Sequence, residues 1–241
     1  MPLLLLAAWA LSARQGWLPE QILPDPLLVL QTLREHAASG ELLAHTLISL
    51  QRVAAGFVLG AGVGLALGAA IGLSRTLRGF LQAPFLLLSQ VHALGFLPLL
   101  VLLVGIDEEM KVLVIAWAAF VPMALNTAQG MRDVPLAWHE VGRVLTFDPW
   151  YSFTRIVLPA ALPAIFTGLR ESLANAWQAM VLAELFASSE GLGYLMVWGR
   201  QLFQLDIVLM AVLVVGTIGL VMNWTLGRLE RRLHRWQAHA V

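Results

Sequence analysis

The stretch WHEVGRVLTFDPWYSFTRIVLPAALP, residues 138–163, decides how this chain is read. It carries Glu140, Arg143, Asp148, Arg155 and a run of aromatics, in a chain that is 59% hydrophobic and only 12% charged. His139 and Glu140 open it as they would open a zinc-protease helix, but that helix needs histidine at its fifth position, and Arg143 stands there. A guanidinium is no metal ligand, so no metal site is read. What remains is a polar segment interrupting oily sequence.

Soluble domains carry about 25% charged residues. This composition, with a mean hydropathy of +0.77, therefore puts the chain in the membrane class. Its 15 basic and 15 acidic residues balance, which argues against a nucleic-acid binder needing a basic face. With no cysteine, disulfides and thiolate metal sites are excluded. Apolar runs over 46–73, 80–106, 111–131, 162–186 and 206–227 are each long enough to cross the hydrocarbon as a helix, and they lack the period-two pattern of a barrel strand. The opening MPLLLLAAWALSAR is short for a span and lacks the positive start of a signal peptide; it is read as a short first helix over 1–13 in preference to a cleaved signal. The expectation is an all-α membrane protein with about six transmembrane helices, one domain over 1–241 with its core spans over 46–227.

Orientation follows the basic residues. With the N-terminus inside, Arg75, Arg78, Arg132, Arg143, Arg155, Arg228, Arg231, Arg232 and Arg235 fall inside, and Arg14, Arg34, Lys111 and Arg200 outside: nine against four. Both termini and the segment 132–161 are then cytoplasmic, with Trp138, Trp150 and Trp236 at the interface.

Inside the spans, Gly56, Gly60, Gly64, Gly68 and Gly72 recur at every fourth residue, a stripe that lets another helix approach closely. That neighbour is either a helix of the same bundle or one lining a path or a second protomer. Glu171, Asn175 and Gln178 share one face of the fifth span, with Arg170 beside them and Glu184 on nearly the opposite face. Asn126 and Gln129 add polarity to the fourth span, and Gln90 and His92 to the third. Ionisable and polar groups in lipid normally face a cavity or a partner. Gln90, His92, Asn126, Glu171, Asn175, Gln178 and Glu184 are therefore candidates for a polar path, with bundle-holding hydrogen bonds as the other reading. The single lysine, Lys111, follows no glycine, and no G-x-S-x-G occurs. The chain thus lacks a phosphate-binding loop and a serine elbow, and is read as no enzyme; ATP, if used, is brought by another subunit.

The segment now becomes specific. Glu140, Val141 and Gly142, then Ile156, Leu158 and Pro159, with nine residues between Thr146 and Ile156, resemble the E-A-A-x-x-x-G-x9-I-x-L-P loop of permease subunits in binding-protein-dependent ABC importers. Thr146 stands at that pattern's glycine, which permits a sharp turn after a short helix. GWLPEQILPDP, GLSR, PLLVLLVGIDEEMK, VLPAALPAIFTGLR and AELFASSEGLGYLM, in this order, resemble the nitrate/sulfonate/taurine branch. Departures are Ser89 and His92 where the branch usually carries arginine and proline, and Leu103 and Val104 where it often has Trp-Phe. The resemblance implies a permease in a bacterial inner membrane. Its partners would be a second copy of itself, two ATP-binding subunits that hold the ATP and magnesium, and an extracytoplasmic solute-binding protein. Glu140, Val141, Gly142, Arg143, Thr146 and Pro159 would form the coupling element that docks on the ATPase, and the solute would be a small sulfonate- or nitrate-like anion or another small organic compound. An ion-gradient-driven transporter and a non-transporting scaffold are the alternatives.

Overall fold

A computed structural model gives the architecture. It describes residues 2–15 and 23–237. The stretch 16–22, with Glu20 and most of GWLPEQILPDP, lies outside the described residues, as do the side chains of Arg14, His139, Arg231, Arg232, Arg235 and Trp236. The described residues form helices and no strand: α1 (Pro2–Arg14), α2 (Pro26–Ala38), α3 (Glu41–Leu73), α4 (Arg75–Ser89), α5 (Leu97–Val104), α6 (Glu108–Arg132), α7 (Leu136–Val144), α8 (Pro149–Ser152), α9 (Leu158–Ala187), α10 (Leu192–Gln201) and α11 (Leu205–Gln237). Two compact units are built from Met1–Arg52 with Met180–Leu220, and from Val53–Ala179 with Val221–Val241.

Among the described residues, four helices are long and apolar enough to cross a membrane: α3, α6, Pro149–Ala187 and the Leu205–Arg228 part of α11. A fifth span exists if α4 and the helical stretch Ala93–Val104 count as one broken crossing. The 13 residues of α1 make about 20 Å, less than the roughly 30 Å of a hydrocarbon core.

One expectation is corrected. The run over 80–106 is not one helix: it breaks at Gln90–His92, and its arms are bent by 87°. Pro98 lies in the first turn of α5, where its ring is pre-set for helix and its missing N–H would have no intrahelical partner. The Val91 carbonyl freed at the break accepts from the Trp117 indole at 3.3 Å. The helix that carries the fifth apolar run, 162–186, is already helical from Pro149, so Pro159 and Pro163 lie within helical chain. A π turn over Phe153–Val157 precedes Pro159, with the Leu158 N–H reaching back to the Phe153 carbonyl. A wider turn of this kind accommodates a proline ring that would clash with an ordinary i−4 carbonyl.

In the second unit the glycine stripe of α3 lies on α6. A Cβ on Gly56 would sit 2.6 Å from Ile115, one on Gly64 2.6 Å from the Phe120 carbonyl, one on Gly68 2.6 Å from the Ala124 carbonyl, and one on Gly72 2.8 Å from Met131. On Gly60 it would strike the backbone of Ala116 itself, whereas Gly62, off the stripe, has nothing within 4 Å. The close approach is between two helices of one chain. Arg78 caps the end of α3, donating to the Ile71 and Gly72 carbonyls at 3.2 and 2.9 Å.

Candidate functional site

The polar segment after α6 is closed by backbone geometry. At the end of α7, the Thr146 N–H donates to the Arg143 carbonyl at 3.0 Å and the Phe147 N–H to the Gly142 carbonyl at 2.9 Å. These are the two bonds of a Schellman turn, which needs a left-handed residue at Thr146. Thr146 supplies it, at φ 53°, although a β-branched residue there costs about 1–2 kcal/mol. Its hydroxyl donates to the Leu145 carbonyl at 2.8 Å. The turn therefore forms without the glycine. Asp148 then caps α8, accepting from the Tyr151 N–H at 2.6 Å.

Both ends of the segment converge on one small core. Met131 and Val134 from its start pack with Val157 and Ala161 from its end, and Phe153 and Ile156 cover them. Gly142 lies against Ile156: a Cβ there would be 3.0 Å from its Cδ1. The outward side is different. Leu136 is 78% exposed and Val144 81%, and Trp138, Val141, Leu145 and Trp150 are exposed too. Glu140 and Arg143 are also exposed and make no ion pair among the described residues. Covering a single Leu or Val is worth about 1.5–3 kcal/mol. The segment thus offers an uncovered apolar surface, flanked by unspent charge, on a firmly rooted base.

Of the candidate path residues, the structure brings two together: the Asn126 amide donates to Glu171 at 2.8 Å and to the Pro122 carbonyl at 2.9 Å. Glu171, Asn175 and Gln178 form an exposed polar face on α9, and Asn175 and Gln178 have no hydrogen-bond partner among the described residues. Gln90 and His92 are exposed at the break that follows α4, where Gln90 ends the helix and His92 precedes the next turn. A cavity of about 240 Å³ opens beside Asn126, lined by Gln82, Phe85, Leu125, Asn126, Gln129 and Arg132 among others. Arg170 is tied down: its Nε donates to Asn223 at 2.8 Å and its Nη1 pairs with Glu230 at 3.1 Å.

Glu184 is not on that polar face. It is 1% exposed, in the first unit, and pairs with Arg52, 4% exposed, at 2.8 Å. The Ser49 hydroxyl reaches its two oxygens at 2.8 and 3.0 Å, and the Gly193 N–H donates to Oε2 at 2.8 Å. Arg52 also donates to the Glu190 carbonyl at 2.8 Å, Ser49 accepts from the Leu192 N–H at 2.9 Å, and His45 Nδ1 accepts from the Gly191 N–H at 2.9 Å. Gly191 has φ +109° and any Cβ on it would strike the Glu184 carboxylate, so only glycine fits. Every partner of this buried charge thus fixes residues 190–193. Sequence reading missed Arg52, Ser49 and His45. Their i, i+4, i+7 spacing on α3, and an arginine within an apolar run that must find an acid, were the available signals.

Comparison with known proteins agrees with the sequence resemblance. The family described as "Binding-protein-dependent transport system inner membrane component" matches residues 60–235. The putative aliphatic sulfonates transport permease protein SsuC of Bacillus subtilis is 38% identical over 237 residues, covering 98% of this chain and 86% of its own. The taurine transport system permease protein TauC of Escherichia coli is 32% identical, covering 96% and 86%. A chain of the MetNI methionine ABC transporter in an inward-facing conformation shares the fold, with a TM-score of 0.70 at 14% identity over 82% of this chain and 98% of that one. The chain is therefore a multi-pass membrane protein that belongs to the binding-protein-dependent transport system inner membrane component family, as an ABC importer permease of the nitrate/sulfonate/taurine branch.

Proposed function

We propose that this chain forms the membrane path of an ATP-driven importer for a small organic anion of the sulfonate type. Two copies would stand together with two ATP-hydrolysing subunits and an extracytoplasmic solute-binding protein, in a bacterial cytoplasmic membrane with both termini inside. In this reading α7 and α8 dock on the ATPase subunit. Closure of the ATPase pair around ATP pushes on them, and the core of Met131, Val134, Val157 and Ala161 passes that push to α6 and α9. Glu140, Val141, Gly142, Arg143 and Thr146 belong to the docking element, and Pro159 to its root. The polar face of Glu171, Asn175 and Gln178, with Asn126, borders the path, and the exposed Gln90 and His92 belong to it as well.

The observation that carries this reading is the outward apolar side of a short helix whose ends are anchored in one core. A solvated connector would turn Leu136 and Val144 inward; a docking element leaves them for a partner. The anion class is supported by the substrates in the names of SsuC and TauC. Replacing Glu140 with Ala tests the docking role. Membrane insertion stays normal while ATP hydrolysis by the complex uncouples from uptake, or the ATPase subunit no longer co-purifies. Normal coupled uptake by that variant would remove Glu140 from the coupling element.

A further inference from the structure

The cavity beside Asn126 has a chemistry of its own. Its walls come from α4 and α6, with Ile71 closing one side. At about 240 Å³ it is smaller than the roughly 300–1,000 Å³ of sites for drug-sized ligands. Phe85, Leu86 and Leu125 give it an apolar side, and Gln82, Asn126, Gln129 and Arg132 a polar one.

The polar groups can be followed atom by atom. Arg132 Nε donates to the Ala128 carbonyl at 3.2 Å and Nη2 to Gln129 Oε1 at 3.0 Å, while Nη1 has no partner among the described residues. The Gln82 side chain, only partly exposed, has none either. Both donors of the Asn126 amide are used, on Pro122 and Glu171, and Gln129 Nε2 is used on Asp133 at 3.1 Å. The two nearby carboxylates, Glu171 and Asp133, are thus held by amides and do not line the cavity. Arg132 is the single charged residue of the lining, and the unspent donors are its Nη1 and the Gln82 amide. One cation and one neutral donor opposite an apolar wall suit a monoanion carrying a short apolar tail. They suit neither a cation nor a dianion, which would need a second positive group to offset its desolvation.

We propose that this cavity is a subsite for the transported solute, with the acidic head on Arg132 and Gln82 and the tail against Phe85 and Leu125. The assignment rests on the transport reading above and names the place of the solute within it. An anionic lipid headgroup has related chemistry, and the test separates the two.

Binding of radiolabelled 1-butanesulfonate to the permease–ATPase complex is measured by equilibrium dialysis in nanodiscs of phosphatidylcholine, with and without phosphatidylglycerol. The expected result is binding at least about tenfold tighter than that of sulfate, a dianion without the tail, or of butyltrimethylammonium, which has the tail and the wrong charge. Arg132→Gln and Gln82→Leu each weaken it about tenfold, Arg132→Lys retains part of it, and Arg75→Gln, at a residue outside the lining, leaves it unchanged. Co-purification with the ATPase subunit shows that each variant is folded, and Gln82→Leu tests the site without removing a charge. Equal binding by wild type and Arg132→Gln overturns the proposal, as does equal binding of sulfate and butanesulfonate. Loss of binding when phosphatidylglycerol is added assigns the cavity to lipid and overturns it too. ATP-dependent uptake of butanesulfonate that is intact in Arg132→Gln removes the subsite and leaves the transport reading standing. Arg132-dependent binding without any uptake leaves the site and removes the transport reading.

Discussion

Two connecting segments follow long helices in this protein, and they are held in opposite ways. After α9, residues 188–193 are pinned by buried charge: Arg52, Ser49 and His45 of α3, with Glu184, take up the N–H groups of residues 191–193 and the Glu190 carbonyl. After α6, the segment through α7 and α8 is closed by its own backbone and leaves Glu140, Arg143 and its apolar residues exposed. A buried ion pair is costly to assemble and very costly to half-remove, so it suits a part that must not move. Exposed apolar residues on a rooted helix contribute nothing until a partner covers them. The first segment stabilises the chain itself; in the proposed reading the second awaits a partner.

The contrast is tested by mutation, and the largest effect belongs to the pinned segment. Glu184→Ala leaves the Arg52 guanidinium buried without its acid, and about 3–5 kcal/mol of stability is expected to go, read as a fall in thermal stability or failure to accumulate in the membrane. Replacing the pair together by Met and Leu recovers most of that loss. A loss no larger than that of an exposed variant would mean that the pair is solvated in the working protein. Next comes the glycine stripe. Gly60→Val drives a side chain into the Ala116 backbone and costs several kcal/mol, of the order seen for overpacked cores (about 1–3 kcal/mol or more), while Gly62→Val is neutral in the same thermal assay. Similar melting of the two would show that α3 and α6 do not meet as described.

Smaller effects on folding are expected at the docking segment. Leu136→Asp and Val144→Asp change stability by no more than about 0.5 kcal/mol, since both residues are already exposed, yet they abolish co-purification of the ATPase subunit. Thr146→Gly relieves the left-handed strain and raises stability by about 1 kcal/mol, visible as a higher melting temperature. A fall instead would mean that the threonine hydroxyl bond to Leu145 outweighs the strain.

Much of this was legible in the sequence. Spans 46–73, 111–131 and 206–227 fall within α3, α6 and α11, because long apolar runs have one stable solution in lipid. The break at Gln90–His92 was not legible, because hydropathy reports what is oily and not where a helix bends. Nor was the helical chain ahead of the run 162–186, which a π turn over Phe153–Val157 carries up to Pro159. Nor was it legible that two turns form without a glycine at their left-handed position. GRVLTF at 142–147 and GRQLFQ at 199–204 make the same turn, with Thr146 and Phe203 left-handed at φ 53° and 57°. In both, the glycine sits four residues earlier, where the turn packs on the next helical element: Gly142 on Ile156, Gly199 on Ile207. Close packing and not backbone freedom placed those glycines. Of the candidate site, the sequence paired neither Asn126 with Glu171 nor Arg52 with Glu184, since helix faces give azimuth along one helix and not the neighbour opposite.

In the proposed mechanism, motion enters this chain through α7 and α8 from an ATP-hydrolysing partner. The most direct measurement is uptake of a labelled sulfonate into proteoliposomes containing the permease and its solute-binding protein, with and without the ATPase subunit and ATP, for wild type and for Val144→Asp. Uptake should require both the subunit and ATP, and Val144→Asp should abolish it while the purified permease melts at the wild-type temperature. Uptake that runs on an ion gradient without the ATPase, or that is unchanged in Val144→Asp, would rule out this route.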